Sequence, residues 1–312
     1  MKVGANFALE GGKRLRPSFF YFGYKAGGGM DENSAILASA SVELIHTGAL
    51  VHDDIIDHSD LRRGNPTVHM SFNQLFEQEG MGEGMAILTG DTIAALASRA
   101  LSSFPDKEKV EKARKYFDEM CLEINMGQYL DLLGNIKSGV DMDLIMKVME
   151  YKTARYTIQK PLLIGASLAG ASSEVLQGLS DYAIPLGIAF QMQDDVLGMF
   201  GDEAKVGKPV DSDLKEGKKT LLVLYTVQKL EERGMIDDLT KFKKILGNPD
   251  LSKQDYIWVQ DLMISLGSLE NCREVASGLI HKAKLSLDGI KINPDAKEYL
   301  LGIADYMLNR EY

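Results

Sequence analysis

The chain has 312 residues, 45% of them hydrophobic and 26% charged, with a formal net charge of −10 and a pI of about 5.1. That length buries a substantial core, and the composition is that of a folded globular chain. The acidic balance argues against a nucleic-acid surface, which calls for a basic one, and it suits a protein that uses some of its acids to hold divalent cations.

The first residues, MKVGANFALEGGKRLRP, contain no apolar signal core. No apolar run reads as long enough to span a bilayer, so an integral membrane protein is not expected. The two cysteines, Cys121 and Cys272, fall in helical patterns without metal-type spacing. They read as free thiols in a reducing cytoplasm.

Helical spacing, with apolar residues three and four apart and abundant Ala, Leu and Met, predicts helices over 34–60, 85–104, 109–133, 143–170 and 175–200. Glycine-, proline- and charge-rich stretches at 134–141, 201–219, 247–252 and 289–295 read as loops. No segment alternates with period two between hairpin turns. The pattern predicts an all-α bundle of about ten or more helices in a single domain, 1–312. Several segments are apolar on more than one face, as helices buried all round are. That suits a central helix layer or a large dimer contact.

The acids stand out at the ends of two apolar helices. In VHDDIIDHSDLRRGNPTVH (51–69), Asp53 and Asp57 are four apart and share one helix face, with Asp54 beside them. Such a cluster repels itself unless cations sit on it. Oxygen ligands without convergent Cys or His indicate Mg²⁺ rather than Zn²⁺. A lone DDxxD is also what a solvated helix end looks like. Here a second apolar helix ends in FQMQDDVLG (190–198), with Asp194 and Asp195. If the two ends face each other, they form two walls of an oxygen-lined pocket, and the apolar stripes behind them line a tunnel. Basic clusters in GGKRLRP (11–17), LRRGNP (61–66), EYKTARY (150–156) and VGKPVDSDLKEGKK (206–219) fit a polyanionic ligand. Arginine grips phosphate with a planar fork, lysine as a mobile point charge.

In these stretches, in MGQYLDLL (126–133) and in their order, the chain resembles the all-trans polyprenyl diphosphate synthases, the farnesyl- and geranylgeranyl-forming enzymes among them. The resemblance implies a homodimer of all-α subunits, helices around a central cavity, and the two Asp motifs on opposite walls. It implies head-to-tail condensation of isopentenyl diphosphate with an allylic diphosphate. Asp53 and Asp57 would hold two Mg²⁺ ions and Asp194 a third, with Asp54 and Asp195 counted among the metal candidates. Arg62, Lys152, Lys208 and Lys218 would grip the allylic diphosphate. Lys13, Arg16, His46 and Arg63 would bind isopentenyl diphosphate. Gln128, Thr153, Tyr156 and Gln191 would lie along the allylic chain, and Phe190 against the isopentenyl group. His46 on its own reads as a core histidine; only the resemblance makes it a ligand. The chemistry needs no protein nucleophile, and no Ser/His/Asp or Cys/His constellation is evident in the sequence.

Gly48 and Ala49, one turn before the first Asp motif, with Ile45 below them, stand where the resemblance implies the growing chain passes. Small residues there predict an open tunnel and a product of C20 or longer, and a shorter one for Gly48→Phe. Two departures from the family pattern stand out. Gly198 replaces a third Asp of the second motif, and only ten residues precede GGKRLRP where relatives carry a longer helical segment. Three rivals lack their own marks. A class I terpene cyclase would carry an Asn/Ser/Glu metal triad in place of the second Asp motif. A non-catalytic synthase subunit would have lost the Asp motifs. An iron-binding ferritin-like bundle needs Glu-x-x-His pairs.

Overall fold

A computed structural model describes residues 2–76, 80–136, 141–201 and 210–309. The chain is all-α. Helices α1 (Lys2–Leu9), α2 (Leu15–Ala26) and α3 (Glu32–Ile56) lead into a two-residue hairpin, β1 (Leu61–Arg62) and β2 (Asn65–Pro66). There follow α4 (Val68–Phe76), α5 (Met81–Ser102), α6 (Lys107–Ile136) and α7 (Met142–Val148). A π-helical stretch, Met149–Gln159, passes straight into α8 (Lys160–Ala169) and is followed by α9 (Ser173–Phe200). The rest is α10 (Ser212–Lys215), α11 (Leu221–Glu232), α12 (Ile236–Ile245), α13 (Lys253–Ser265), α14 (Ser268–Ser286) and α15 (Pro294–Asn309). The expected helix over 143–170 is therefore three pieces. A π turn is wide, and π segments recur at functional sites. Pro161 supplies no N–H to the turn before it, which favours a wider turn just ahead of α8.

The chain divides into two compact units. One comprises Met1–Cys121, Lys160–Leu176 and Lys291–Ala296; the other comprises Leu122–Gln159, Gln177–Ile290 and Lys297–Tyr312. In the first, α3 packs along α5 and α2 along α8. Phe19, Phe20, Leu101, Leu162, Ile164 and Leu168 are fully buried there. The α2–α8 contact is backbone on backbone: a Cβ on Gly23 would come within 2.2 Å of the Leu162 carbonyl oxygen. α3 starts cleanly because Asp31 accepts the Ser34 N–H at 3.1 Å. In the second unit Leu179, Tyr182, Leu186, Leu230, Phe242 and Leu300 are buried. The Tyr182 hydroxyl donates to the Leu300 carbonyl at 2.6 Å.

One expectation needs correcting. The helix Glu32–Ile56 is long and apolar enough, by length and composition, to cross a membrane. Half of its most apolar window is buried in the protein, and its last turn carries Asp53 and Asp54, so it reads as a core helix. Both thiols are free. Cys272 is buried but Cys121 only half-buried; burial pushes them up to about 12 and about 11, which keeps them protonated and unreactive.

Candidate active site

The first acid motif sits at the C-terminal end of α3. Asp57 is the C-cap, and its N–H donates to the Asp53 carbonyl at 2.8 Å. Asp53 is half-buried and Asp57 exposed. Carboxylates at a helix C-terminus oppose the helix dipole, so a bound cation there removes a penalty. The next turn is a strained connector: His58, Arg63 and Gly64 all have positive φ (51°, 54° and 79°). It carries Arg62 and Arg63 back along α3.

Asp54 points the other way. Its side chain is 1% exposed, and its Oδ1 accepts the Arg62 Nε at 2.8 Å and the Nη2 at 2.5 Å. Burial pushes its pKa up against the pull of Arg62. The structure thus corrects its place among the metal candidates: Asp54 is the partner of Arg62, and Asp53 lies 3.9 Å from the same guanidinium. The physical reason is helical phase. Residue 54 is rotated by about 100° from 53, while 57 returns to its face.

His46, half-buried on α3, lies in a nest of positive charge. Burial, and then the charges of Arg16, Arg63, Arg62 and Arg14, hold its pKa well below the usual value. Arginines gathered around a neutral imidazole make an anion site. The structure therefore brings Arg16, His46, Arg62 and Arg63 together in the first unit, with Lys13 on the adjoining loop, exposed.

The second unit assembles the other set. A Cβ on Gly127 would sit 2.9 Å from the Lys152 backbone nitrogen, and one on Gly187 would sit 2.2 Å from the Ala154 Cα. α6 and α9 can therefore approach the π stretch closely. This places Gln128 of α6 near Lys152. It also lets the Thr153 hydroxyl donate to the Gln191 side-chain oxygen at 2.6 Å. Tyr156 is buried; Phe190 and Gln191 are half-buried on α9. Lys152 is held by Asp131 at 2.7 Å. Asp194 is exposed. Asp195 accepts the Gln191 amide at 2.9 Å and is pushed up to about 7, first by burial and then by Asp194 and Asp213. It lines a small pocket with Asp213, Lys218 and Thr220. Asp213 accepts Lys218 at 3.0 Å. Burial pulls Lys218 down, but Asp213 and Glu216 outweigh it and leave its pKa raised. Lys208 lies outside the described residues.

Three of the cations expected to grip a diphosphate thus each have a carboxylate keeper: Arg62 has Asp54, Lys152 has Asp131 and Lys218 has Asp213. Asp131 and Asp213 are not among the residues the sequence singles out. The available signal was their place inside MGQYLDLL and DSDLKEGKK, within the motifs that carry the chemistry.

Gly48 also departs from expectation. A Cβ there would sit 3.0 Å from the Gly90 carbonyl oxygen and 3.7 Å from Ala94 N, so its missing side chain admits α5 rather than opening a channel. Gly90 in turn faces the His52 ring. Ala49 and Ile45 are half-buried.

Among the described residues no group of three or more His, Cys, Asp or Glu side chains is placed to hold a metal ion. Mg²⁺ commonly takes one or two carboxylates and completes its octahedron with water and substrate phosphate.

The sequence matches the polyprenyl synthetase family over residues 2–255. The chain belongs to that family. It is a prenyltransferase by that membership. It is 37% identical to a geranylgeranyl diphosphate synthase of Methanosarcina mazei, over 97% of this chain and 87% of that one. It is 34% identical to a geranylfarnesyl diphosphate synthase of Aeropyrum pernix, over 98% and 93%. Among solved structures it resembles a geranylgeranyl pyrophosphate synthase of Corynebacterium glutamicum complexed with isoprenyl diphosphate and magnesium. That match has a TM-score of 0.91 at 33% identity, covering 99% of this chain and 90% of that one.

Proposed function

We propose that the chain condenses isopentenyl diphosphate head-to-tail with an allylic diphosphate to give an all-trans polyprenyl diphosphate of C20 or longer. The observation that carries this reading is that each unit holds basic side chains close to acids, in a chain similar over nearly its whole length to geranylgeranyl and geranylfarnesyl synthases. Asp53 and Asp57 would hold two Mg²⁺ ions and Asp194 a third. Magnesium supplies Lewis-acid stabilisation of the departing diphosphate.

Arg62, Lys152 and Lys218, with Lys208, would grip the allylic diphosphate and stabilise its growing charge. The allylic C–O bond breaks and its electron pair leaves with the diphosphate. The isopentenyl double bond attacks the allylic carbon and a C–C bond forms. A proton is then lost to the released diphosphate, leaving a new double bond. Lys13, Arg16, Arg63 and neutral His46 hold isopentenyl diphosphate, with Phe190 against its hydrocarbon part. The bonded pair Thr153–Gln191, with Gln128 and Tyr156, orients the allylic chain and keeps water from the cation. Ala49 and Ile45 limit product length. Asp195, bonded to Gln191, would support that wall as the second carboxyl of the motif.

The second Asp pair disfavours a terpene cyclase, which carries an Asn/Ser/Glu triad in that place. The domain is taken as one, 1–312, cytoplasmic and homodimeric. Exposed Leu88 and Leu96 on α5 in the first unit, and exposed Leu122, Met126 and Tyr129 on α6 in the second, are apolar surface that a second copy would cover.

The test is product analysis. Purified protein with Mg²⁺, isopentenyl diphosphate and each allylic primer should give elongated diphosphates of C20 or longer by mass spectrometry. EDTA should abolish turnover and added Mg²⁺ restore it. Absence of elongation with every primer refutes the reading.

A further inference from the structure

We propose that Arg14 and Glu43 are a positioning pair for the isopentenyl diphosphate site, acting without touching the ligand. The inference rests on the site assignment above. Arg14 sits between Lys13 and Arg16 in the turn ahead of α2, at φ 50° and ψ 37°, a left-handed conformation that non-glycine residues seldom hold. Surrounding contacts have to hold it there. Its Nη1 donates to Glu43 Oε1 at 2.5 Å. Its Nη2 donates to the carbonyls of Ala8 and Glu10, each at 3.2 Å. Its own carbonyl accepts the Ser18 N–H at 3.2 Å and the Ser18 hydroxyl at 3.0 Å, which opens α2. One guanidinium therefore ties together the end of α1, the loop and α3.

The α3 end of this tie lies beside the ligand site. Glu43 precedes His46 by three residues, so the two share a helix face. The Glu43 side chain is 16% exposed, and its carbonyl accepts the Thr47 hydroxyl at 2.9 Å. From the other side Arg63 Nη1 donates to the Glu10 carbonyl at 2.8 Å and also to the Gly11 carbonyl. Loop 10–13 thus hangs between two guanidiniums, and Lys13 and Arg16 are set in register with His46 through Arg14. An Arg fork loses less freedom per hydrogen bond than a lysine. A displacement of the loop by about 1 Å would take two of the proposed phosphate ligands out of place.

Steady-state kinetics on the full chain separate this role from a merely structural one. Arg14→Gln and Glu43→Gln should each raise KM for isopentenyl diphosphate by about tenfold, with kcat and the allylic KM within about twofold. The double variant should be no worse than Arg14→Gln alone, since that change already breaks the link to Glu43. Arg14→Lys should recover part of the loss. Glu43→Gln keeps size and shape and serves where Arg14→Gln fails to fold. The proposal is overturned if the isopentenyl KM is unmoved, if both substrates' KM values shift together, or if the single effects add. Wild-type protein that consumes no isopentenyl diphosphate overturns the site assignment and this inference with it. Active wild type with unmoved variants overturns this inference alone.

Discussion

Gly48→Phe separates a packing glycine from a tunnel-opening one. On the backbone of α3, a Cβ at position 48 lies 3.0 Å from the Gly90 carbonyl oxygen, 3.7 Å from Ala94 N and 3.7 Å from Ile93 Cγ2. A methyl alone is tight: Gly48→Ala gains about 1 kcal/mol of helix propensity, which the crowded contact offsets, so it should be near neutral. A phenylalanine ring must push α3 and α5 apart, and overpacking of this kind costs about 3 kcal/mol. For a chain of this size that lowers Tm by roughly 5 °C. Differential scanning calorimetry on wild type, Gly48→Ala and Gly48→Phe, with mass spectrometry of the products, gives the answer. A Gly48→Phe protein that melts with the wild type and makes a shorter product refutes the packing argument. In that case position 48 faces the growing chain after all.

The remaining variants probe charge. Asp54→Asn leaves Arg62 without its buried anion and should cost about 2–3 kcal/mol in urea unfolding. Asp53→Asn should leave stability near wild type yet lower kcat by about 10²-fold or more. Equal stability losses in the two variants would refute the separate roles given to these neighbours. His46 is held neutral in the folded chain, with a pKa well below its usual value of 6.5. The unfolded chain therefore binds the extra proton below about pH 6.5, and stability is lost as pH falls through that value. The loss is up to about 1.4 kcal/mol per pH unit for one group. His46→Gln should flatten the slope of unfolding free energy between pH 6.5 and 5; an unchanged slope contradicts the neutral histidine.

Most of the long helices were legible because their apolar residues keep one period. The segments 85–104, 109–133 and 175–200 appear as Met81–Ser102, Lys107–Ile136 and Ser173–Phe200. The π stretch was not legible, because its apolar spacing differs little from that of an α-helix and its cause includes a proline one turn on. Asp53, Asp54 and Asp57 read as one cluster in sequence. What separates Asp54 is Arg62, delivered by a two-residue hairpin too short to show a strand pattern. Gly48 reads the same whether it faces a cavity or a neighbouring helix, and only the approach of Gly90 distinguishes the two. The cations of the site were legible one by one. Their keepers Asp131 and Asp213 were not, since each pairing is made across a fold or a turn.

Calorimetric binding of a non-ionising thiolo analogue of an allylic diphosphate tests the central claim most directly. Wild type, Asp53→Asn and Asp194→Asn would be titrated with and without Mg²⁺. If acids from both motifs serve one magnesium-bound diphosphate, each substitution weakens binding by about tenfold or more in Mg²⁺, and all three proteins bind alike in EDTA. Wild-type affinity and wild-type magnesium dependence in Asp194→Asn would contradict it.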